Sequence, residues 1–262
     1  MAVAQKRGGS RKTLLPWMGG KSRLAAQIIP LLPTHTTYVE PFCGGCAVFF
    51  RKERSNAEIL NDLDNRLVTL LRVFRFHPDE LLREIAYLTH SRTEFRDALA
   101  QPGITDIQKA ARFLLIVKAG FGSKISSPSF GYGLTGKAHF SQVAVAGMIA
   151  AARERLDGVT IENLDFADVI SRYDSPGTLF YCDPPYIGTA GYACRFTMDD
   201  HTRLRDALAA IEGRAVVSLN DCHETRRLYT GWDIREIGVV YSVGGKGADR
   251  KKQNGEVVML KR

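Results

Sequence analysis

Long apolar runs are missing from this sequence. No stretch of about 18 apolar residues occurs among its 262, so no transmembrane helix is expected. The first ten residues carry Lys6 and Arg7 with no apolar stretch behind them, so no secretory leader is expected. Cysteine is sparse: Cys43, Cys46, Cys182, Cys194 and Cys222 make an odd set without framework spacing. That excludes a disulfide scaffold and fits a reduced, cytoplasmic protein. Cys43 and Cys46 form a lone C-x-x-C with no second pair, and His35 is not at ligand spacing. No metal site is expected there; the two thiols read as small filling of a Gly-rich turn.

Acidic residues are absent from two long stretches. Residues 1–39 hold Lys6, Arg7, Arg11, Lys12, Lys21 and Arg23 and no acid; residues 107–153 hold Lys109, Arg112, Lys118, Lys124, Lys137 and Arg153, again with none. A third basic block, Lys246, Arg250, Lys251, Lys252, Lys261 and Arg262, faces only Asp249 and Glu256. These blocks carry the overall excess of +8, which suits a polyanionic partner; a solvated surface is the plainer reading of each block alone. With 45% hydrophobic and 24% charged residues the composition is that of a globular chain.

The local pattern predicts an α/β fold. A helix is expected after Gly19-Gly20, with Leu24, Ile28 and Leu31 on one stripe. A strand over Thr37 to Glu40 runs into Pro41 and the Gly44-Gly45 turn, followed by a helix over about 47–53, a second strand over about 57–62 and a helix through Leu67, Leu70, Leu71 and Phe74. This βαβ rhythm predicts a parallel sheet with ligands at the carboxyl ends of its strands. Residues 78–119 read as helical, 120–142 as a long Gly- and aromatic-rich loop, and 143–156 as a helix. Strands are expected at 158–163, 177–183, 214–219, 233–241 and 255–260, with helices at about 199–211 and 222–230. The organisation is therefore one α/β domain, 1–70 with 156–262, interrupted by a helical and loop insert over 71–155.

The sharpest chemical signal is Leu179-Phe-Tyr-Cys-Asp-Pro-Pro-Tyr186. An apolar strand delivers Asp183 and Tyr186 on a turn stiffened by Pro184 and Pro185, which cannot continue the ladder. A rigid acceptor beside an aromatic plate suits a flat ring carrying an amino group: Asp183 and the Pro184 carbonyl can accept its two N–H bonds, and Tyr186 can stack on its face. The alternative is a strand-ending turn with a capping Asp. Gly44-Gly45 permits close backbone approach of a ligand or makes a plain strand-to-helix turn. Asp62, 18 residues beyond Gly44, stands where a nucleotide-binding α/β fold places an acceptor for ribose hydroxyls, or caps a helix. Gly19-Gly-Lys-Ser22 is not a phosphate loop, since that motif needs Gly at position 15, where Leu15 stands, and a preceding strand.

Asp-Pro-Pro-Tyr resembles the amino-methyltransferase motif of DNA adenine N6-methyltransferases. Leu15-Pro-Trp-Met-Gly-Gly-Lys21, Val39-Glu-Pro-Phe-Cys-Gly-Gly-Cys-Ala-Val-Phe49, Asn61-Asp62-Leu-Asp64-Asn65, Ser218-Leu-Asn-Asp221, Arg250-Lys-Lys252 and Glu256-Val-Val-Met resemble further segments of the D12-class, Dam-type enzymes, in the order of their α group. The resemblance implies a Rossmann-like, mostly parallel sheet with one antiparallel strand, S-adenosylmethionine as cofactor, and a flipped adenine in duplex DNA as substrate. It assigns Trp17, Lys21, Glu40, Phe42, Gly44, Gly45, Asp62 and Asp183 to the cofactor. Asp165 and Phe166 would hold its adenine ring, or else cap and pack a helix. Lys118, Lys124, Lys137, Arg250, Lys251 and Lys252 would touch DNA phosphates, which position without specifying. Restriction–modification is one setting of such enzymes. Two features depart from the family: Pro16 stands where a base-reading Lys is usual, and the 117–136 stretch lacks the family's base-reading pattern. They point to a short site other than GATC, or to relaxed specificity. RNA adenine methylation and a catalytically silent DNA-binding protein are the alternatives.

Overall fold

The computed structural model of the chain describes residues 14–17, 19–121, 128–131, 140–188, 196–238 and 255–261. Lys124, Lys137, Arg250, Lys251 and Lys252 lie outside the described residues. Seven strands form a single sheet: β1 (Thr37–Glu40), β2 (Ala57–Asn61), β3 (Thr160–Glu162), β4 (Thr178–Cys182), β5 (Arg214–Asn220), β6 (Asp233–Ile237) and β7 (Glu256–Leu260). Their spatial order is β3-β2-β1-β4-β5-β7-β6. All pairings are parallel except those of β7, which runs antiparallel to both β5 and β6. This is the Rossmann-like, mostly parallel sheet with one reversed strand that the sequence implied.

The central strands read as unbroken apolar runs because both faces are covered. Side chains alternate between two cores. Tyr38, Leu179, Tyr181, Val216 and Val258 face one core. Val39, Phe180, Cys182, Val217 and Met259 face the other. On the first face pack α1 (Ala25–Ile28), α2 (Asn65–Phe76), α3 (Pro78–Ala86), α4 (Arg92–Ala100), α5 (Asp106–Ala119) and α6 (Gln142–Leu156). On the second pack α7 (Phe166–Tyr173), α8 (Met198–Ala210) and α9 (His223–Leu228). The helices of the 71–155 segment thus share one continuous core with the sheet. Among the described residues no helix is long and apolar enough to cross a membrane.

Two elements differ from the sequence pattern. The helix expected over 47–53 is a run of turns. The Phe49 amide, which would bond the Gly45 carbonyl in a helix, donates instead to the Glu40 carboxylate at 2.9 Å. Only scattered helical bonds remain, Phe50 to Cys46 and Lys52 to Val48. Conversely, α7 stood only as the alternative reading of Asp165 and Phe166, a cap and a packed ring, and is a helix. Its Asp165 cap and its apolar Phe166, Val169 and Ile170 have helical spacing, but eight residues are too few for that period to stand out.

Buried ion pairs tie the first face to the strand edge. Lys52 Nζ lies 2.6 Å from Glu58 Oε1, and Arg155 at the end of α6 donates to both Glu58 oxygens at 2.5 and 2.9 Å. The two cations also cover aromatic rings, Lys52 over Tyr38 and Arg155 over Phe49.

Candidate active site

Strand order reverses between β1 and β4, and a cleft opens at their carboxyl ends, where such sheets bind ligands. The two loops that leave these strands, Glu40 to Gly45 and Asp183 to Pro185, both line it.

The Gly-rich loop is shaped by Trp17. Gly44 sits at φ +45°, and a Cβ added there would lie 2.9 Å from Trp17 Nε1; one on Gly45 would lie 2.8 Å from Trp17 Cβ. The close approach that demands glycine here is that of the N-terminal segment crossing the loop. Trp17 also meets Phe113 of α5 edge-on, with ring centroids 6.4 Å apart.

Asp62 follows β2 and braces the same loop. Its Oδ2 accepts the Gly44 amide at 2.9 Å and its Oδ1 the Asp64 amide at 2.9 Å. Burial pushes its carboxyl up to about 6, against the pull of those two amides. The helix-capping role falls to Asp64, which accepts the Arg66 amide at the start of α2. Asp62 is left lining the cleft. Asn61 joins the ends of three strands, donating to the carbonyls of Pro41 and Leu164 and accepting the Leu164 amide.

Phe42 and Phe166 form the apolar wall with a third ring, Phe196. Their centroids are 5.4 to 5.7 Å apart. The sequence reading missed Phe196, although a signal was present. Thr197 and Asp200 make a reciprocal capping box on α8, and Phe196 packs on His201 with centroids 4.7 Å apart. That is the hydrophobic staple that accompanies such a box. Asp165 caps α7 by accepting the Ala167 amide and also pairs with Arg203 at 3.0 Å. It both caps a helix and lines the cleft.

The other end of the cleft is ionic. Lys21, in the turn before α1, is 2% exposed, and its ammonium lies 2.5 Å from Asp183 Oδ1, 2.8 Å from Tyr186 Oη and 3.2 Å from Glu256 Oε1. It also donates to the Gly19 carbonyl. Burial works against its charge, yet Asp183, Tyr186 and Glu256 together hold it protonated above the ordinary lysine range. Burial pushes Asp183 up to about 6; Lys21 pulls it down and Glu256 pushes it up. Glu40 is pushed by burial to about 8 despite hydrogen bonds from Tyr38 and Phe49. Beyond Tyr186 the loop is clamped by Asn220, whose amide donates to the Ile187 carbonyl and accepts the Ile187 amide. Glu256 and Asn220 lie in segments that resemble the family but received no site role from the sequence, because β7 and β5 join the site only through sheet order.

Asp183, Pro184, Pro185, Trp17, Lys21, Glu40, Phe42, Gly44, Gly45, Asp62, Asp165 and Phe166 therefore meet in one cleft, with Tyr186 bonded at its edge. Lys118 does not join them. It lies half-buried on the last turn of α5, with burial pulling its ammonium below the lysine range. Cys43 and Cys46 are buried free thiols held above the ordinary range, Cys43 by burial foremost. Among the described residues no three His, Cys, Asp or Glu side chains converge as metal ligands.

The chain is similar to known proteins over most of its length. The chain is 27% identical over 260 residues to the retron Ec67 DNA adenine methylase of Escherichia coli, covering 91% of this chain and 88% of that protein. It is 24% identical over 263 residues to the DNA adenine methylase of Escherichia coli K12, covering 92% of each. To the Vibrio cholerae enzyme of the same name it is 25% identical over 264 residues, covering 92% and 93%. The family model for D12 class N6 adenine-specific DNA methyltransferases matches residues 17–243. That span runs from Trp17 through the Gly-rich loop, Asp62 and Asp183, and the chain belongs to this family of adenine-specific DNA methyltransferases.

Proposed function

We propose that this protein transfers a methyl group from S-adenosylmethionine to the N6 amino group of an adenine flipped out of duplex DNA. The observation that carries this reading is Asp183, an acceptor fixed on a proline-stiffened turn and bonded by a buried ammonium at 2.5 Å. The cleft residues fit the cofactor chemically. The Phe42, Phe166 and Phe196 wall suits a flat base, and the Asp62 carboxylate at the cleft suits a diol. When bound, the cofactor supplies an electrophilic methyl on a cationic sulfur.

Adenine N6 is a weak nucleophile because its lone pair is delocalised into the ring. Asp183 and the Pro184 carbonyl accept its two N–H bonds and draw that lone pair out of conjugation. Tyr186 stacks on the flipped base. Lys21 holds Asp183 and Tyr186 to one geometry, so that little reorganisation remains in the transition state. As the N–C bond forms, N6 must lose one proton, and Asp183 is the acceptor already bonded to it. Lys118, Lys124, Lys137 and Arg250 to Lys252 contact DNA phosphates, and the 71–155 insert reads the target. That target is a short site other than GATC, or a relaxed set of sites. A reduced cytoplasmic setting fits this chemistry.

Purified protein incubated with methyl-labelled S-adenosylmethionine and duplex DNA, followed by mapping of modified bases, tests the proposal. The expected result is label on adenine N6, lost in Asp183→Ala, with binding that weakens steeply as salt rises. Label on RNA alone, DNA binding without transfer, or an Asp183→Ala protein with near wild-type rate would each overturn it.

A further inference from the structure

Glu256 heads the reversed strand β7 and takes no part in the chemistry so far assigned. Its side chain is 7% exposed, lies 3.2 Å from Lys21 Nζ and accepts a hydrogen bond from Ser218 at 2.6 Å. Lys21 is therefore shared by two carboxylates, Asp183 and Glu256. Asp183 alone would balance the buried ammonium. With Glu256 the three groups carry one positive and two negative charges, a net −1 with Lys21 and Glu256 buried and water reaching only part of Asp183. Among the described residues, the other titratable groups facing Asp183 are Tyr186 beside Lys21, Tyr181 and the buried Cys182 thiol on β4, and Glu40 on β1. Both tyrosines are held neutral, chiefly by burial, and Glu40, at about 8, is mostly protonated at neutral pH. None of them offsets the extra negative charge. A buried charge without a counter-ion is costly, and a cation entering the cleft relieves that cost.

We propose that Glu256 is a positioning residue that, through Lys21, makes the cleft prefer a cationic sulfonium ligand over its neutral thioether counterpart. The inference rests on the reading that S-adenosylmethionine is the donor. In the transfer the sulfur–methyl bond breaks, its electron pair stays on sulfur, the methyl bonds to N6, and N6 gives up a proton. The sulfur ligand thus loses its positive charge, and with it the attraction that Glu256 provides, which favours release of S-adenosylhomocysteine.

Titration calorimetry of wild-type, Glu256→Gln and Glu256→Asp proteins with S-adenosylmethionine and with S-adenosylhomocysteine tests this. Glu256→Gln keeps the size of the side chain and a hydrogen-bond acceptor for Ser218 while removing the charge. It is expected to lower the ratio of sulfonium to thioether affinity roughly tenfold, the order of effect of one charge across a cleft of low effective dielectric. Glu256→Asp restores most of the ratio. An unchanged ratio in Glu256→Gln, or equal weakening of both ligands, overturns the proposal and leaves the donor assignment standing. Wild-type protein that binds neither ligand overturns the donor assignment, and this inference with it.

Discussion

Replacing Lys21 with Met removes the charge at the centre of the ionic cluster and keeps most of its bulk. The wild-type ammonium is 2% exposed and serves Asp183, Tyr186 and Glu256 within 3.2 Å. Without it, Asp183 and Glu256 face each other's charge with no cation between them. Breaking a buried ion pair from one side costs about 3–5 kcal/mol. Asp183 keeps 19% of its side-chain surface, so water reaches it and the lower end of that range applies. In a chain of this size each kcal/mol lowers the melting temperature by roughly 2–4 °C, giving a loss of roughly 6–12 °C at pH 8. The pH dependence has a definite sign. Asp183 already titrates near 6 with Lys21 beside it, and without the ammonium its pKa rises further. At pH 5 the variant therefore takes up a proton and escapes much of the penalty, so the melting-temperature gap to wild type narrows as pH falls from 8 to 5. Differential scanning calorimetry of both proteins at the two pH values reads this directly. A gap of less than 2 °C at pH 8, or a gap of equal size at both, would refute the view of Lys21 as the counter-ion of the cluster.

Gly44→Ala places a methyl group 2.9 Å from Trp17 Nε1 at φ +45°; it should cost about 1–3 kcal/mol in urea unfolding and shift the tryptophan emission. Unchanged emission would mean that the ring is not seated on this loop. Arg155→Met leaves Glu58 with Lys52 alone, and a loss of about 3 kcal/mol is expected by the same measurement; a neutral result would make this buried pair dispensable. His201 is 1% exposed, and burial lowers its pKa to about 4 against the pull of Asp200 and the Pro185 carbonyl. The unfolded chain binds the proton below about 6.5 while the folded one resists it, so stability is lost as pH falls from 6.5 to 4, by about 3 kcal/mol. Comparing His201→Phe with wild type across that range should show this slope gone from the variant.

The sheet was legible because its physics is local. Runs such as Leu179 to Cys182 and Ala215 to Leu219 suit inner strands of a sheet covered on both faces, and each ends in a residue that stops pairing or turns the chain. The helix expected over 47–53 failed for a reason no window of sequence contains. The Phe49 amide is claimed by Glu40, nine residues back and on a strand, and a tertiary carboxylate outcompeted the helical carbonyl. The glycines of the loop were legible as glycines, but the partner that requires them was not. Trp17 meets Gly44 and Gly45 only because the N-terminal segment folds back over β1.

The cleft divides by the parity of the strands that form it. Tyr181 faces the core shared with α1 to α6, and two residues on, past the end of β4, Asp183 continues that alternation and meets Lys21 before α1. Phe42, Phe166 and Phe196 pack instead against the core of α7 to α9. The aromatic wall and the ionic cluster thus rise from opposite faces of one sheet and meet only at its carboxyl edge. A motif scan recovers Asp183 and Lys21 because each sits in a short, distinctive run of sequence. It matches Glu256-Val-Val-Met but gives Glu256 no place in the site, because its position beside Lys21 follows from β7 running backwards next to β5. A parallel β7 would present its last residue at this edge; the reversed strand presents its first, and that residue is the second carboxylate on the buried lysine.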